Sequence, residues 1–390
     1  MSPNYLELYR HVEDLPLIAQ VTQSRAGSDL FHSLLDSHPE VLQQPGSFDY
    51  VAFWKAIPNS ISTRLLGRYL TCAGETDKLQ LAKFESSLNT SERWHQLGIT
   101  RNQSFSVDID KFEEHFQGFM EHALDEPLSR RLFLAYHCAY AVASGMNLSE
   151  CKVIFFHLHT PEQLSEFCKL ISVDSVILNR RHPASGVASQ IDHDIRKLEQ
   201  GERAAGTLAG TYFLKRESAL SLGSHLTNLP LRCVWLENLH ERPELEMRDI
   251  AAFLGISFLP LMMESTWGGL LWWGDAQSGQ DLQGVSPARG MRLRTESFGI
   301  HTAGEIAIYE RLCVQKKLGL PPELFTQNRR SWLAYFLVNL SPTTYEKRIL
   351  QLELRSARPF TALLKVCLKS FFFYLKRVSN ESRVLMGFRS

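Results

Sequence analysis

The chain lacks an excess of charge of either sign and lacks paired cysteines. Its 42 Lys and Arg residues balance 42 Asp and Glu residues, which argues against a strongly basic nucleic-acid coat protein and against an acidic tail protein. None of the seven cysteines forms a CxxC pair, so neither a zinc ribbon nor a thioredoxin-like site is predicted. An odd number of scattered cysteines in 390 residues is typical of a reducing compartment.

Long apolar runs are also missing. No stretch of about 18 uncharged apolar residues occurs, and the first residues, MSPNYLELYRHVEDLP, contain neither a basic segment nor an apolar one. We therefore expect no transmembrane helix and no signal peptide. Together with the cysteines, this favours a cytoplasmic protein that does not bind nucleic acid.

Short apolar segments alternate with helical patterns along the chain. The predicted strands are Pro16–Thr22, Lys152–Phe156, Ser175–Asn179 and Leu231–Leu236. Helical spacing follows each of them, and Thr160 with Pro161 has the chemistry of a helix start. This alternation predicts an α/β fold with a central, mostly parallel sheet between layers of helices, as in P-loop proteins.

Two regions depart from the alternating pattern. Residues from about 50 to 149 have helical spacing and predict a helical insertion between two strands. Residues 329–390 contain twelve Lys and Arg but three Asp and Glu. We therefore predict a catalytic domain over residues 1–328 and a basic, helical C-terminal extension over residues 329–390.

The segment Ser24-Arg25-Ala26-Gly27-Ser28-Asp29 joins the first strand to the first helix of this pattern. Backbone N–H groups at such a junction can bind phosphate, although a plain strand-to-helix turn has the same appearance. A Walker A motif is absent because no Lys follows Gly27. ATPases, GTPases and P-loop kinases are therefore disfavoured.

The longer stretch SRAGSDLFHSLLDSHPEV resembles the 5′-phosphosulfate loop of sulfotransferases that use PAPS (3′-phosphoadenosine 5′-phosphosulfate). That family has R-S-G-[ST]-[ST], a helix, and then L-D-x-H-P-x-[VI]. Here Ala26 replaces a usual Ser, and Asp29 replaces a usual Ser or Thr. The resemblance implies a loop that binds the 5′-phosphate and consists of Ser24, Arg25, Ala26, Gly27, Ser28, Asp29 and Leu30.

A second stretch, SVILNRRHPASGVAS, resembles the family's strand ending in R-D-P with a Ser eight residues after the Arg. Arg181 and Ser189 hold these positions, and His182 replaces the usual Asp. In the family this pair binds the 3′-phosphate, which distinguishes PAPS from ATP. The resemblance covers roughly residues 15–51 and 151–275. It includes a Trp- and Gly-rich segment, Trp267–Trp273, whose rings would either cover a sugar or adenine or pack in the core.

The resemblance implies that Arg25 stabilises the charge on the departing phosphate, while Ser28 and the backbone N–H groups of Gly27 to Leu30 hold the 5′-phosphate. Sulfuryl transfer also needs a base for the acceptor hydroxyl. Asp49 and His159 are the two candidates, and each has a structural alternative as a turn or positioning residue. No metal is required, and no cluster of metal ligands is evident.

The function predicted from these features is that of a PAPS-dependent O-sulfotransferase. Its acceptor would be a carbohydrate, another glycan or a lipid. A P-loop kinase is the disfavoured enzyme alternative. The non-enzymatic alternative is a degenerate sulfotransferase fold that acts as a membrane-associated scaffold, an idea that Ala26 and Asp29 support.

The basic extension contains the run LLKVCLKSFFFYLKR. We expect residues 359–377 to form an amphipathic helix that lies on the inner face of a membrane. Its apolar side would comprise Leu364, Leu368, Phe372 and Leu375, and its basic flank Lys365, Lys369, Lys376 and Arg377. The alternative is that this helix packs on the catalytic domain.

Overall fold

The computed structural model describes residues 3–22, 25–46, 50–57, 62–63, 66–67, 70, 97–122, 126–199, 229–274, 284–285, 302–315, 340–343, 346–348, 350–351, 354, 367–368, 371–372, 374–379 and 383. The chain divides into two compact units. The first contains Met1–Thr22, Gly27–Arg180 and His225–Gly290, and the second contains Gln23–Ala26, Arg181–Ser224 and Met291–Ser390.

A parallel sheet forms the centre of the first unit. Its strands, among the described residues, are β1 (Leu17–Thr22), β2 (Val41–Leu42), β3 (Val153–Leu158), β4 (Ser175–Arg180) and β5 (Leu231–Trp235). Their order across the sheet is β2-β3-β1-β4-β5, and all four pairings are parallel. Strands β1, β3 and β4 are buried throughout, which explains their nearly continuous apolar sequences. The predicted α/β fold with a parallel sheet is confirmed.

The helices of the first unit flank this sheet. Among the described residues they are α1 (Tyr5–Glu13), α2 (Ser28–Leu35), α3 (Tyr50–Ala56), α4 (Ile109–His122), α5 (Leu128–Ala143), α6 (Pro161–Phe167), α8 (Leu236–Glu241) and α9 (Pro243–Leu254). Helix α7 (Pro183–Glu199) belongs to the second unit. Short 3₁₀ turns occupy Leu148–Glu150 and Pro260–Met263, and a hairpin pairs β6 (Thr266–Trp267) with β7 (Leu270–Leu271).

Alternation along β3 produces three layers. Phe155 packs on one face of the sheet in a core that includes Phe31 of α2 and Ile250 of α9. Phe156 points to the other face, where its ring contacts Phe133 of α5 and Phe167 of α6. Successive side chains of a strand point to opposite faces, so both faces of the sheet are covered by helices.

The structure corrects several predicted boundaries. Strand β3 continues to Leu158, two residues beyond the predicted end, and so includes His157. Strand β2 is only two residues long, too short to produce an alternating pattern in the sequence. The described parts of the predicted insertion are helical in α3, α4 and α5, and residues 71–96 lie outside the described residues.

The second unit contains helix α7 (Pro183–Glu199) and helix α10 (Thr302–Gln315), which contact each other. His182, directly before α7, is fully buried, and its Nε2 lies 3.8 Å from Oε1 of Glu310 in α10. In the C-terminal region, all the described residues between 367 and 379 are helical.

No helix in the described parts of the chain is both long enough and apolar enough to cross a membrane. Within the same residues, no three His, Cys, Asp or Glu side chains are grouped in a way that could hold a metal ion.

Candidate active site

The loop between β1 and α2 contains two residues with left-handed backbone conformation. Arg25 has φ 59° and Gly27 has φ 75°. Gly27 is the N-cap of α2 and makes no side-chain cap to the first turn of this helix. A Cβ on Gly27 would lie 2.6 Å from Cδ1 of Leu236, so both backbone conformation and space favour glycine. The loop therefore leads directly into a helix N-terminus, the element that binds anions.

A buried polar network supports the start of α2. Gln20 of β1 is fully buried, and its Nε2 donates to the carbonyl oxygen of Ser28 at 2.8 Å and to Oδ1 of Asn179 at 2.6 Å. His32, one turn into α2, donates from Nε2 to the carbonyl oxygen of Gln44 at 2.8 Å. Burial lowers the pKa of His32. These contacts join the start of α2, which follows the predicted phosphate-binding loop, to strands β1 and β4.

Asp29, the most unusual residue of the loop, approaches a histidine of β3. Its Oδ1 lies 4.0 Å from Nδ1 of His157, which is fully buried, whereas the side chain of Asp29 is 31% exposed. The ring of His157 also lies 5.8 Å from that of His32 and 4.9 Å from that of His159. A protonated His157 would offset the charge of Asp29, which would otherwise repel a bound phosphate.

His159 follows β3 directly and is exposed. Its backbone N–H donates to Oε1 of Gln163 at 2.7 Å. Gln163 belongs to the capping box of α6, in which the Thr160 side chain accepts from the Gln163 backbone. The capping box holds the backbone of His159 at the carboxyl end of β3. The other base candidate, Asp49, lies outside the described residues, as does Ser24.

In the second unit the structure brings together residues of both predicted nucleotide motifs. Nη1 of Arg181 donates to the carbonyl oxygen of Arg25 at 3.4 Å. Ser189 is seven residues into α7, counting from Pro183, and is half-buried. The contact links the arginine predicted to bind the 3′-phosphate with the loop predicted to bind the 5′-phosphate.

The D-x-H-P stretch after α2 has structural contacts. Oδ2 of Asp36 accepts from the backbone N–H of Gly269 at 2.9 Å. His38 is bonded through both ring nitrogens, with Nε2 donating to the carbonyl oxygen of Ser257 at 2.9 Å and Nδ1 accepting from the Glu40 N–H at 3.2 Å. Burial lowers its pKa. These contacts give His38 a structural role, because its ring joins the segment after α2 to the segment after α9.

The Trp- and Gly-rich segment is mostly core. Trp267 and Trp272 are 1% and 2% exposed, and their rings lie 5.4 Å apart. They are therefore unavailable for a sugar or adenine, contrary to one of the two expectations. Trp273 is half-buried, donates from Nε1 to the carbonyl oxygen of Gly98 at 2.7 Å, and stacks under the guanidinium of Arg101 at 4.1 Å.

Gln20, His157 and Asn179 were not identified from the sequence. Gln20 pairs in register with His157, and Asn179 pairs with Thr22, two residues further along β1. In-register residues of neighbouring strands point to the same face of a sheet. A polar residue that interrupts an otherwise apolar strand was the signal, and it occurs at the carboxyl half of each of these three strands.

No protein-family model matches the chain, and no curated protein matches it. Among solved structures, the chain is similar to a sulfotransferase domain from the Synechococcus PCC 7002 olefin synthase, with 15% identity and a TM-score of 0.40 over 79% of this chain and 97% of that one. It is also similar to a sulfotransferase domain from the curacin biosynthetic pathway, with 13% identity and a TM-score of 0.39 over 79% of this chain and 99% of that one. The function is therefore inferred from the residues of the candidate site.

Proposed function

We propose that the chain is a PAPS-dependent sulfotransferase that transfers a sulfuryl group to a hydroxyl of a carbohydrate, another glycan or a lipid. The observation that carries the proposal is the contact between Arg181 and the carbonyl oxygen of Arg25 at 3.4 Å. Both residues belong to the second unit, and their contact joins the arginine of the second motif to the backbone of the first. A kinase that binds only a 5′-polyphosphate has no need of the Arg181 and Ser189 pair.

The proposed reaction forms a bond between the acceptor oxygen and sulfur while the bond between sulfur and the bridging phosphate oxygen breaks. The products are the sulfated acceptor and 3′,5′-ADP. Arg25 would stabilise the charge that develops on the departing phosphate. Ser28 and the N–H groups at the start of α2 would hold the 5′-phosphate, and Arg181 with Ser189 would hold the 3′-phosphate.

His159 is the proposed base that takes the acceptor proton, with Asp49 as its rival. His159 is exposed and directly follows β3. Strand β3 pairs with β1, the strand that leads into the predicted phosphate-binding loop. Histidine titrates near neutral pH. We expect His159→Ala to lower kcat about a hundredfold, the low end of what a general base contributes, and Asp49→Asn is the matched comparison. If neither variant changes kcat by tenfold, the base lies elsewhere.

Nucleotide binding tests the cofactor assignment. The protein should bind 3′,5′-ADP much more tightly than 5′-AMP in calorimetric titrations. Arg181→Ala should weaken 3′,5′-ADP roughly 30- to 150-fold, from about 2–3 kcal/mol for a charged hydrogen bond, and should leave 5′-AMP unchanged. Arg196→Ala is the matched control, since Arg196 lies on α7, the helix that follows Arg181, and its Nε donates to the carbonyl oxygen of Asp192. Equal affinities for the two nucleotides would refute the assignment.

Turnover separates the enzyme from a degenerate scaffold. The protein would be incubated with sulfur-labelled PAPS and separate extracts of polysaccharides and lipids. A labelled species that forms only with active protein would support transfer and identify the acceptor class. Tight binding of 3′,5′-ADP without any transfer or release of sulfate would favour the scaffold, as Ala26 and Asp29 in the loop suggest.

A further inference from the structure

The C-terminal helix exposes a row of large apolar side chains. Leu368, Phe371, Phe372 and Leu375 are 50%, 55%, 67% and 44% exposed, and we call these four residues the tail face. Their spacing is i, i+3, i+4 and i+7, which places them on one side of a helix. The rings of Phe371 and Phe372 also contact each other, with their centroids 6.3 Å apart.

The opposite side of this helix is attached to the protein by an ion pair. Arg377 follows Leu368 by nine residues, which is about 180° around a helix. It is fully buried, and its Nε donates to Oε1 of Glu346 at 2.6 Å while Nη2 donates to the carbonyl oxygen of Ser341 at 3.0 Å. Tyr374 donates its hydroxyl to the carbonyl oxygen of Leu340. The helix therefore buries a charge and exposes its apolar side.

This arrangement is the reverse of an ordinary surface helix, whose apolar side faces the core. It corrects one expectation, since Arg377 does not flank the apolar side as a lipid-facing residue. A buried ion pair that loses one partner is costly, so Arg377 and Glu346 fix which side of the helix points outward. The orientation is thus a property of specific contacts.

Charge indicates what covers the tail face. Besides the buried Arg377, residues 354–380 include five Lys and Arg and no Asp or Glu. Lys376, next to Leu375, is exposed. Two copies of this segment would bring together an excess of charge of the same sign, which opposes self-association. An anionic lipid surface satisfies both features, because it offers an apolar boundary for Phe and Leu and phosphate groups for Lys.

We propose that the tail face docks on the surface of an anionic phospholipid bilayer. Phe371, Phe372, Leu368 and Leu375 enter the boundary between headgroups and acyl chains, while Lys376 meets the headgroup phosphates. Arg377 stays within the protein and anchors the helix. The proposal does not depend on the reaction that the chain catalyses.

Vesicle co-sedimentation of the full chain tests the proposal. The protein should pellet with vesicles that contain phosphatidylglycerol at low salt, and at least about tenfold less with pure phosphatidylcholine or at high salt. Phe371→Ser with Phe372→Ser should lower binding to the anionic vesicles at least about tenfold, because it removes two aromatic side chains from the buried area. Lys376→Glu should lower it on anionic vesicles alone.

The matched control is Ile99→Ser with Leu245→Ser, which alters two exposed apolar residues outside the tail, at 84% and 52% exposure. This control should pellet like the unaltered chain. Thermal unfolding of all variants is measured in parallel. The proposal is overturned if the double Phe variant binds as the unaltered chain does, or if its main effect is a lower melting temperature, which would place the tail face in the protein interior. The unaltered chain could also bind no vesicles and form a dimer that is lost in the double Phe variant. That result would show that the tail face binds a second copy of the chain.

Discussion

At the scale of single residues, Arg25 and Asp29 place opposite charges in one loop. We predict that Arg25→Ala lowers kcat more than it weakens 3′,5′-ADP, because the guanidinium interacts most strongly when negative charge develops on the departing phosphate. Single-turnover rates and calorimetric Kd values measure the two effects. Arg10→Ala, on the exposed side of α1, should change neither. A loss of affinity as large as the loss of rate would make Arg25 a binding residue only.

Asp29 adds a negative charge to the loop that is proposed to bind phosphate. Its carboxylate lies 4.0 Å from buried His157, and this neighbour offsets its charge only while it is protonated. We predict that Asp29→Asn tightens 3′,5′-ADP about fivefold, which corresponds to roughly 1 kcal/mol of repulsion between unit charges in water-like surroundings. Titration at neutral pH measures it. Asp110→Asn is the matched control, since Asp110 also lies in the first turn of a helix. Weaker binding after Asp29→Asn would mean that the carboxylate helps the site.

At the scale of elements, the start of α2 depends on one glycine. We predict that Gly27→Ala lowers the free energy of unfolding by roughly 2–4 kcal/mol, from the left-handed backbone and from overpacking against Leu236. Gly255→Ala is the control, since Gly255 has φ 71° but its Cβ would meet nothing within 4 Å. It should cost about 1 kcal/mol. Urea unfolding compares them, and adding Leu236→Ala to Gly27→Ala should recover part of the loss. Equal losses for the two glycines would exclude the contact with Leu236.

Elements also show what could be predicted from the sequence. Helix α6 was predicted at Pro161 because Thr160 and Pro161 have the chemistry of a helix start, and its capping box is present. The alternating strands were found because buried parallel strands are apolar. The end of β3 was missed because His157 is polar, although Asp29 and two histidine rings surround it. Such long-range partners leave no local pattern. The contact between Arg181 and Arg25, 156 residues apart, is of the same kind.

At the scale of the whole molecule, buried histidines link stability to pH. His137 is fully buried between Phe133 and Tyr136, and burial lowers its pKa to about 4. Between pH 6.5 and 4 the unfolded chain therefore takes up a proton that the folded chain does not. The free energy of unfolding should fall as the pH drops through this range, by about 3 kcal/mol for this residue.

We predict that His137→Gln flattens this dependence by about one proton, measured as the slope of unfolding free energy against pH. His122→Gln, at the exposed end of α4, is the control and should keep the slope of the unaltered chain. His32 and His38, whose pKa values burial also lowers, keep part of the dependence in every variant. Identical slopes for His137→Gln and the unaltered chain would contradict the prediction.

The position of β1 in the centre of the sheet has a consequence for how the chain is made. Leu17 pairs with Ile154, and Ile18 pairs with Ser175, so both neighbours of this strand are synthesised long after it. At about 5–20 residues per second, a ribosome takes roughly 10–30 s to reach the second neighbour. During that time the apolar strand β1 lacks both of its hydrogen-bonded neighbours. Assembly of the sheet therefore cannot proceed outward from the N-terminus, and β1 stays an unpaired apolar segment until β3 and β4 have been synthesised.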